Sequence, residues 1–233
     1  MKRQQRTEFW RSFLDWADRH ADSRWVFRGL GSKDFDILPK AGRKREYRAA
    51  AEKAVLETFR RRAGEFVDGS RIATDWDVLA LAQHHGAPTR LMDWTTNPLI
   101  ACHFAATSEP GCGNSKDGMI LAYRVGARDI IDTTRYNPWR LPSDGFILPR
   151  YLTYRMNHQG GLFSVHRQPG TPEFDQSKLK KDGFLIPEDM RHHMRRRLFY
   201  FGVDSQRVMG GLDGVGSRLD WQYSHNIGLG AVR

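Results

Sequence analysis

Cysteine is scarce in this chain. Cys102 and Cys112 are its two cysteines in 233 residues, which excludes a disulfide framework and suits a reducing compartment. No apolar run approaches the ~20 residues that a membrane-spanning helix needs. The opening MKRQQRTEFWRSFLDWADRH is charged throughout and lacks the apolar centre of a secretion signal. A cytoplasmic protein that does not engage a membrane is the expectation. No G-x-x-x-x-G-K-[ST] loop occurs and no G-x-G-x-x-G follows a strand, so phosphate-loop and dinucleotide-fold chemistry find no support. H-E-x-x-H and paired C-x-x-C are missing as well, which removes the recognisable zinc patterns. Acids are outnumbered: 27 Asp and Glu against 37 Lys and Arg leave a formal charge of +10. That balance draws phosphate-bearing partners such as nucleic acid or nucleotide, or simply keeps an arginine-rich protein soluble.

No internal repeat, low-complexity linker or domain boundary interrupts the chain, and its many aromatic residues supply core material for one domain. Thr7 is placed to cap a helix over 7–20, with Phe9, Trp10, Phe13, Leu14, Trp16 and Ala17 as a wide apolar stripe. Residues 24–31, RWVFRGLG, read as a strand running into a Gly-x-Gly turn. A long charged helix is expected over 43–67, with Tyr47, Ala51, Val55, Phe59 and Phe66 on one face. Another is expected over 75–86, stopped by Gly86 and Pro88, and Asn97 with Pro98 opens a third, NPLIACHFAAT. Strands are expected at 117–127, 160–167 and 182–187, while 128–159 shows no clear period. Pro187 then opens a helix with acids first and arginines last, carrying Met190, Met194, Leu198 and Phe201 as its buried stripe. These elements give a single α+β domain over 1–233, with N-terminal helices packed on a mixed or antiparallel sheet. Its core lies at about 24–214, helices mostly first and strands mostly after.

Polar groups crowd into one stretch, LALAQHHGAPTRLMDWTTNPLIACHFAA at 79–106. Thr89, Arg90, Asp93, Trp94, Thr95 and Thr96 lie between a helix C-terminus and a helix N-terminus, where orphan backbone groups also gather. Capping accounts for Asn97 and one threonine; it leaves the two histidines, Arg90 and Asp93 pointing to a site. Adjacent helical residues diverge by about 100°, so His84 and His85 do not easily share a metal ion with His103. Arg28 in VFRGLG shares a strand face with Val26, opposite Trp25 and Phe27. A guanidinium among apolar residues needs a partner: an internal carboxylate such as Asp93, or the phosphate of a ligand. YRMNHQGGLFSVHR at 154–167 adds Arg155, His158 and Gln159 before a Gly-Gly turn.

WVFRGLG with the later ILPKAGR, the 79–106 block and RMNHQGGLFSVHR together resemble the FRG domain family of mostly bacterial proteins. The family is named for Phe-Arg-Gly, here Phe27, Arg28 and Gly29. The likeness runs from Trp25 to GLDG at 211–214. It departs at Met209-Gly210-Gly211, where the family tends to have Phe-Pro before Leu-Asp-Gly. A more distant likeness is to ADP-ribosyltransferases, whose three-part signature would be Arg28, then Asp93-Trp94-Thr95 with ACHFA, then Gln159. That resemblance implies an ADP-ribosyltransferase-like fold and NAD as substrate. It further implies an NAD-cleaving enzyme of the toxin or antiviral-effector kind, with a nucleic-acid or protein acceptor. Asp93, Gln159 and His85 would serve catalysis. Arg28, Gly29, Thr89, Arg90, Trp94 and Thr95 would hold the dinucleotide. No glutamate occurs between Glu109 and Glu173, so the usual acid of the third element is missing. Gln159 suffices, Asp93 supplies the charge, or the domain only binds. A non-catalytic nucleotide- or nucleic-acid-binding module is the alternative, with GRKR, RRR and MRHHMRRR as its basic runs.

Overall fold

The computed structural model describes residues 3–43, 47–149, 161–171 and 176–228, without the side chains of 70–71 and 176–178. Eight helices are described: α1 (Arg3–Arg19), α2 (Ala49–Ala63), α3 (Asp75–His84), α4 (Pro98–Thr107), α5 (Gln176–Lys181), α6 (Glu188–Tyr200), α7 (Ser205–Met209) and α8 (Gly211–Ser224). The strands are β1 (Trp25–Leu30), β2 (Leu91–Thr95), β3 (Gly118–Arg124), β4 (Gly145–Ile147), β5 (Gly161–Val165) and β6 (Phe184–Ile186). They form one sheet in the order β4-β5-β2-β1-β3-β6, with every neighbouring pair antiparallel. The arrangement is α+β. Helices and strands interleave, however, instead of falling into two halves. No described helix is long and apolar enough to cross a membrane.

Opposed residues in an antiparallel pair share a face, and the register sorts the core accordingly. Phe27, Ile120, Ala122 and Ile186 turn one way, under α1, α4 and α6. Leu91, Phe163, Val165 and Ile147 turn the same way farther along the sheet, under α2 and α3. Val26, Leu30, Met92, Trp94, Leu121, Phe146 and Leu162 face the other side, closed by Ile37, Phe35 and Leu179. The expected split of Phe27 from Val26 in β1 holds. Two helical groups therefore cover one sheet face, with the central strands running beneath the line where they meet.

Several sequence expectations need correction. Helix α1 begins at Arg3, so Thr7 is not its cap; its hydroxyl donates back to the Arg3 carbonyl at 3.2 Å. Leu14 is exposed. Helix α2 is shorter than 43–67 and rotated: it buries Glu52, Leu56 and Ala63, leaving Val55 and Phe66 exposed. The buried Glu52 carboxylate sets that rotation, and an apolar pattern cannot announce a buried charge. Strand β2 lies where the residues by themselves suggested only a helix connection, and β4 lies in the stretch without period. Phe201 is 58% exposed beyond the end of α6, although it touches Trp10. Helix α8 extends past the expected core edge at 214 and packs Trp221 with Phe199 and Ile227.

Local signals elsewhere act as read. The Asn97 carbonyl oxygen Oδ1 caps α4 through Leu99 N–H at 2.9 Å, and Gly86 (φ 75°) ends the α3 turn; a Thr74/Asp77 capping box, which the sequence reading did not name, starts α3. Helix α4 carries Cys102 and His103 into the core. Burial, and secondarily the Arg195 charge, bring the His103 pKa down from 6.5 to about 4. Between those two values the unfolded chain holds the extra proton, so stability falls as pH drops through the window. The term amounts to about 3 kcal/mol at most. His103→Leu should flatten the stability profile between about pH 6.5 and 4. Urea unfolding midpoints across that range read the effect.

Candidate functional site

The sheet opens at its centre. Between β1 and β2 the register holds Phe27 opposite Thr95 and pairs no residue beyond it, although β1 continues to Leu30 and β2 begins at Leu91. Arg28 stands at that opening. Its Nη1 donates to the Asp93 carbonyl oxygen at 2.5 Å and lies 3.8 Å from the Asp93 carboxylate. The guanidinium thus satisfies a strand carbonyl that no neighbouring strand reaches. Arg28 keeps 16% of its side chain exposed, while Asp93 keeps 56%. Burial lowers the Arg28 pKa from its ordinary value, Asp93 opposes that shift, and Arg43 adds to it.

A cavity of about 250 Å3 occupies the opening. Its floor is Phe27, Arg28, Gly29 and the β2 residues Asp93, Trp94 and Thr95; its walls are Gln83 and His84 at the end of α3 and Ile100, Phe104 and Ser108 along α4. A second cavity of about 230 Å3 shares Arg28 and is lined by Leu30, Phe35, Ile37, Met92 and Arg43. A larger hollow of about 780 Å3 lies beside α7 and α8. Its Arg218 is already engaged by Asp204 and Gln206, and no residue of the 79–106 block lines it. The convergent polar groups belong to the smaller cleft, which is the stronger site.

Gln83 organises the cleft, and the sequence reading missed it. Its amide donates to Asp93 Oδ2 at 2.7 Å, while its carbonyl accepts from the Thr89 hydroxyl at 2.6 Å. Thr89 in turn accepts from Leu91 N–H. The side chain is aimed by a buried threonine and aims the carboxylate. Its position just before the two histidines, at the end of a helix, was the available signal.

The other sequence-selected residues divide. Gly29 lines the cleft, but its main work is packing: a Cβ there would run into the Ala101 carbonyl of α4. The Thr95 hydroxyl accepts from Asn97 N–H at 3.1 Å at the cleft edge. Trp94 contributes to the floor with its ring buried on the opposite face, where its indole donates to Ser164 Oγ at 2.9 Å. Ser164 stands 3.1 Å from His166 Nε2, and His166 Nδ1 stands 3.0 Å from Asp144. That line has the order of a hydrolase triad, but Ser164 and His166 are wholly buried, so it holds Trp94 in place.

Arg90, His85 and Thr89 do not line the cleft. Arg90 is buried, pairing with Glu52 at 2.8 Å, donating to Tyr47 and the Pro138 carbonyl, and lying 4.6 Å from the Trp139 ring. Every direction of its fork is engaged by the protein, which makes it structural. His84 takes the cleft side, whereas His85 lies in an apolar groove with Phe59 and Phe66; the helical angle between neighbours separates them. Gln159, with Arg155 and His158, lies outside the described residues. Among the described residues no group of three His, Cys, Asp or Glu is placed to hold a metal ion.

Arg191 sets the far wall. It donates to the carbonyls of Ala106, Ser108, Gly31 and Lys116, closing the C-terminus of α4 as cations do. Residues 23–111 match the family model described as FRG domain. Over that stretch the chain is similar to FRG domains. No curated protein and no solved structure matches it. The FRG match begins just before β1 and ends just after α4, so it takes in both walls and the floor of the cleft. The Phe-Arg-Gly residues have three different duties: Phe27 in the core, Arg28 across the strand gap, Gly29 under α4.

Buried and cleft arginines should respond differently to mutation. Arg90→Met strands Glu52 without its partner and should cost about 3–5 kcal/mol. Arg28→Ala removes one hydrogen bond at a partly open site and should cost less than about 2 kcal/mol. Chemical denaturation of the two variants compares them directly.

Proposed function

We propose that the cleft binds NAD and cleaves its nicotinamide–ribose bond, making the domain an ADP-ribosyltransferase or a related NAD-cleaving enzyme. The observation that carries this reading is the strand opening at Arg28, with a guanidinium on one side and the Gln83-held Asp93 carboxylate on the other. Arg28, with Arg43 at the adjoining cavity, suits a pyrophosphate, since guanidinium forks match phosphate oxygens. Asp93 and Thr95 suit a ribose. When the glycosidic bond breaks, nicotinamide leaves with the electron pair and C1′ gains oxocarbenium character. A carboxylate accepting from the adjacent ribose hydroxyl strengthens that bond as the charge develops. The acceptor, whether water, a nucleic acid or a protein group, then adds to C1′ and releases a proton.

Asp93 takes the charged role in this reading, because the third element carries no acid. Gln83 keeps its carboxylate oriented before substrate arrives, which is the preorganisation that transition-state stabilisation needs. The resemblance to ADP-ribosyltransferases supports the reading by analogy. The net charge of +10 favours the second reading, a non-catalytic module for nucleotide or nucleic acid.

Asp93→Asn separates the two. The neutral amide should lower nicotinamide release by about a hundredfold or more, with NAD affinity within about threefold of wild type. Chromatographic quantification of nicotinamide checks it. Binding of NAD to wild type without any release supports the module reading instead.

A further inference from the structure

The basic run of α6 serves two ends. Arg191 is consumed in closing α4, as described above, but the rest of the run faces away from the cleft. His192 and His225 are both exposed and stack with ring centroids 4.6 Å apart and planes 20° from parallel. Beneath them lies the buried Trp221 ring, and the Arg195 guanidinium sits 4.7 Å from its centroid. Arg196 and, from α1, Arg6 are exposed beside this pair. Partial burial and then the charges of His225, Arg196, Arg195 and Arg6 all push the His192 pKa down. His193 is lowered by partial burial and then by Arg197, against a raising hydrogen bond to the Arg6 backbone. Asp220 is the carboxylate that acts on Arg195. Among the described residues, none of Arg6, Arg195, Arg196 and Arg197 forms an ion pair.

Arginines from α1 and α6 are thus brought together around a pair of stacked rings, one of them supplied from the end of α8. Such crowding is unfavourable in the isolated protein and becomes favourable against a polyanion. The charges are arginines, not lysines, and the rings between them are imidazoles. Guanidinium forks match phosphate oxygens, and exposed imidazoles are platforms on which unstacked bases settle. A lipid surface would call for aliphatic or aromatic side chains able to insert, and this set offers rings that stack.

We propose that the face formed by Arg6, His192, Arg195, Arg196 and His225 docks a single strand of nucleic acid, the arginines on phosphates and the histidine pair against a base. This surface is separate from the cleft and does not depend on the chemistry assigned there.

Fluorescence anisotropy of a labelled single-stranded oligonucleotide of about 15 nucleotides, as RNA and as DNA, tests it across a salt series. Wild type should bind and weaken steeply as salt rises. The double variant Arg6→Glu/Arg196→Glu should lose at least about tenfold in affinity and reduce the logarithmic salt slope by about 1.4, two single-strand phosphate contacts' worth. Arg61→Glu/Arg62→Glu on α2 makes the same charge change elsewhere and should shift affinity by less than about threefold. His192→Ala/His225→Ala should weaken binding with the salt slope kept, as lost stacking does. Circular dichroism confirms the fold of each variant. Equal weakening by both arginine pairs would reduce the effect to net charge and overturn the assignment. So would an absence of wild-type binding at low salt, or binding to phosphatidylserine vesicles with none to either oligonucleotide.

Discussion

Arg28 spans a gap that the sheet leaves open. The two central strands pair only at Phe27 and Thr95; toward Leu30 and Leu91 they separate, and a single guanidinium holds the Asp93 carbonyl that would otherwise lack a strand partner. A sheet interrupted at its centre normally sacrifices ladder hydrogen bonds for nothing. Here the interruption admits a cavity to the middle of the sheet, between the helices that cover it. An arginine is suited to that position because it can hold the strand with one nitrogen and keep others for a ligand. Lysine, with a single point of charge, would not reproduce the fork.

The walls depend on two further constraints. Helix α4 lies so close to β1 that Gly29 cannot carry a side chain, and Gly118 repeats the condition on β3. Arg191 then ties the C-terminal end of α4, through the carbonyls of Ala106 and Ser108, to those of Gly31 after β1 and Lys116 before β3. On the opposite wall, the buried Glu52–Arg90 pair with Tyr47 and Trp139 ties α2 to the start of β2, and Trp139 donates to Asp75 at the start of α3. Thr89 carries that rigid base to Gln83, and Gln83 carries it to Asp93. The one exposed carboxylate on the cleft floor is therefore the end of a chain that begins in the core.

Much of this was legible before any coordinates. Strand β1, the Gly86 stop of α3, the Asn97 cap of α4, the facing of Phe27 against Val26, and the approach of Arg28 to Asp93 followed from pattern and from polar residues without an evident structural need. Strand β2 was harder. Leu91, Met92, Trp94 and Thr95 are buried while Asp93 alone is exposed, so the alternation that announces a strand is nearly absent. Helix α2 was rotated by a buried ion pair whose partner lies 38 residues away, and no local period records such a contact. Arg90 looked like a ligand group for the same reason: its polar character was visible, but the Glu52 that absorbs it was not. His84 and His85 were separable in principle by helical geometry, but which of them met the cleft depended on where α2 packed.

Calorimetric titration of NAD into wild-type protein and into Arg28→Ala decides whether the Arg28 opening is the nucleotide pocket proposed for it. Saturable heat with wild type, lost in a variant that retains its wild-type circular dichroism and unfolding transition, is the predicted result. No heat from wild type at millimolar NAD, or equal binding by the two proteins, would contradict it.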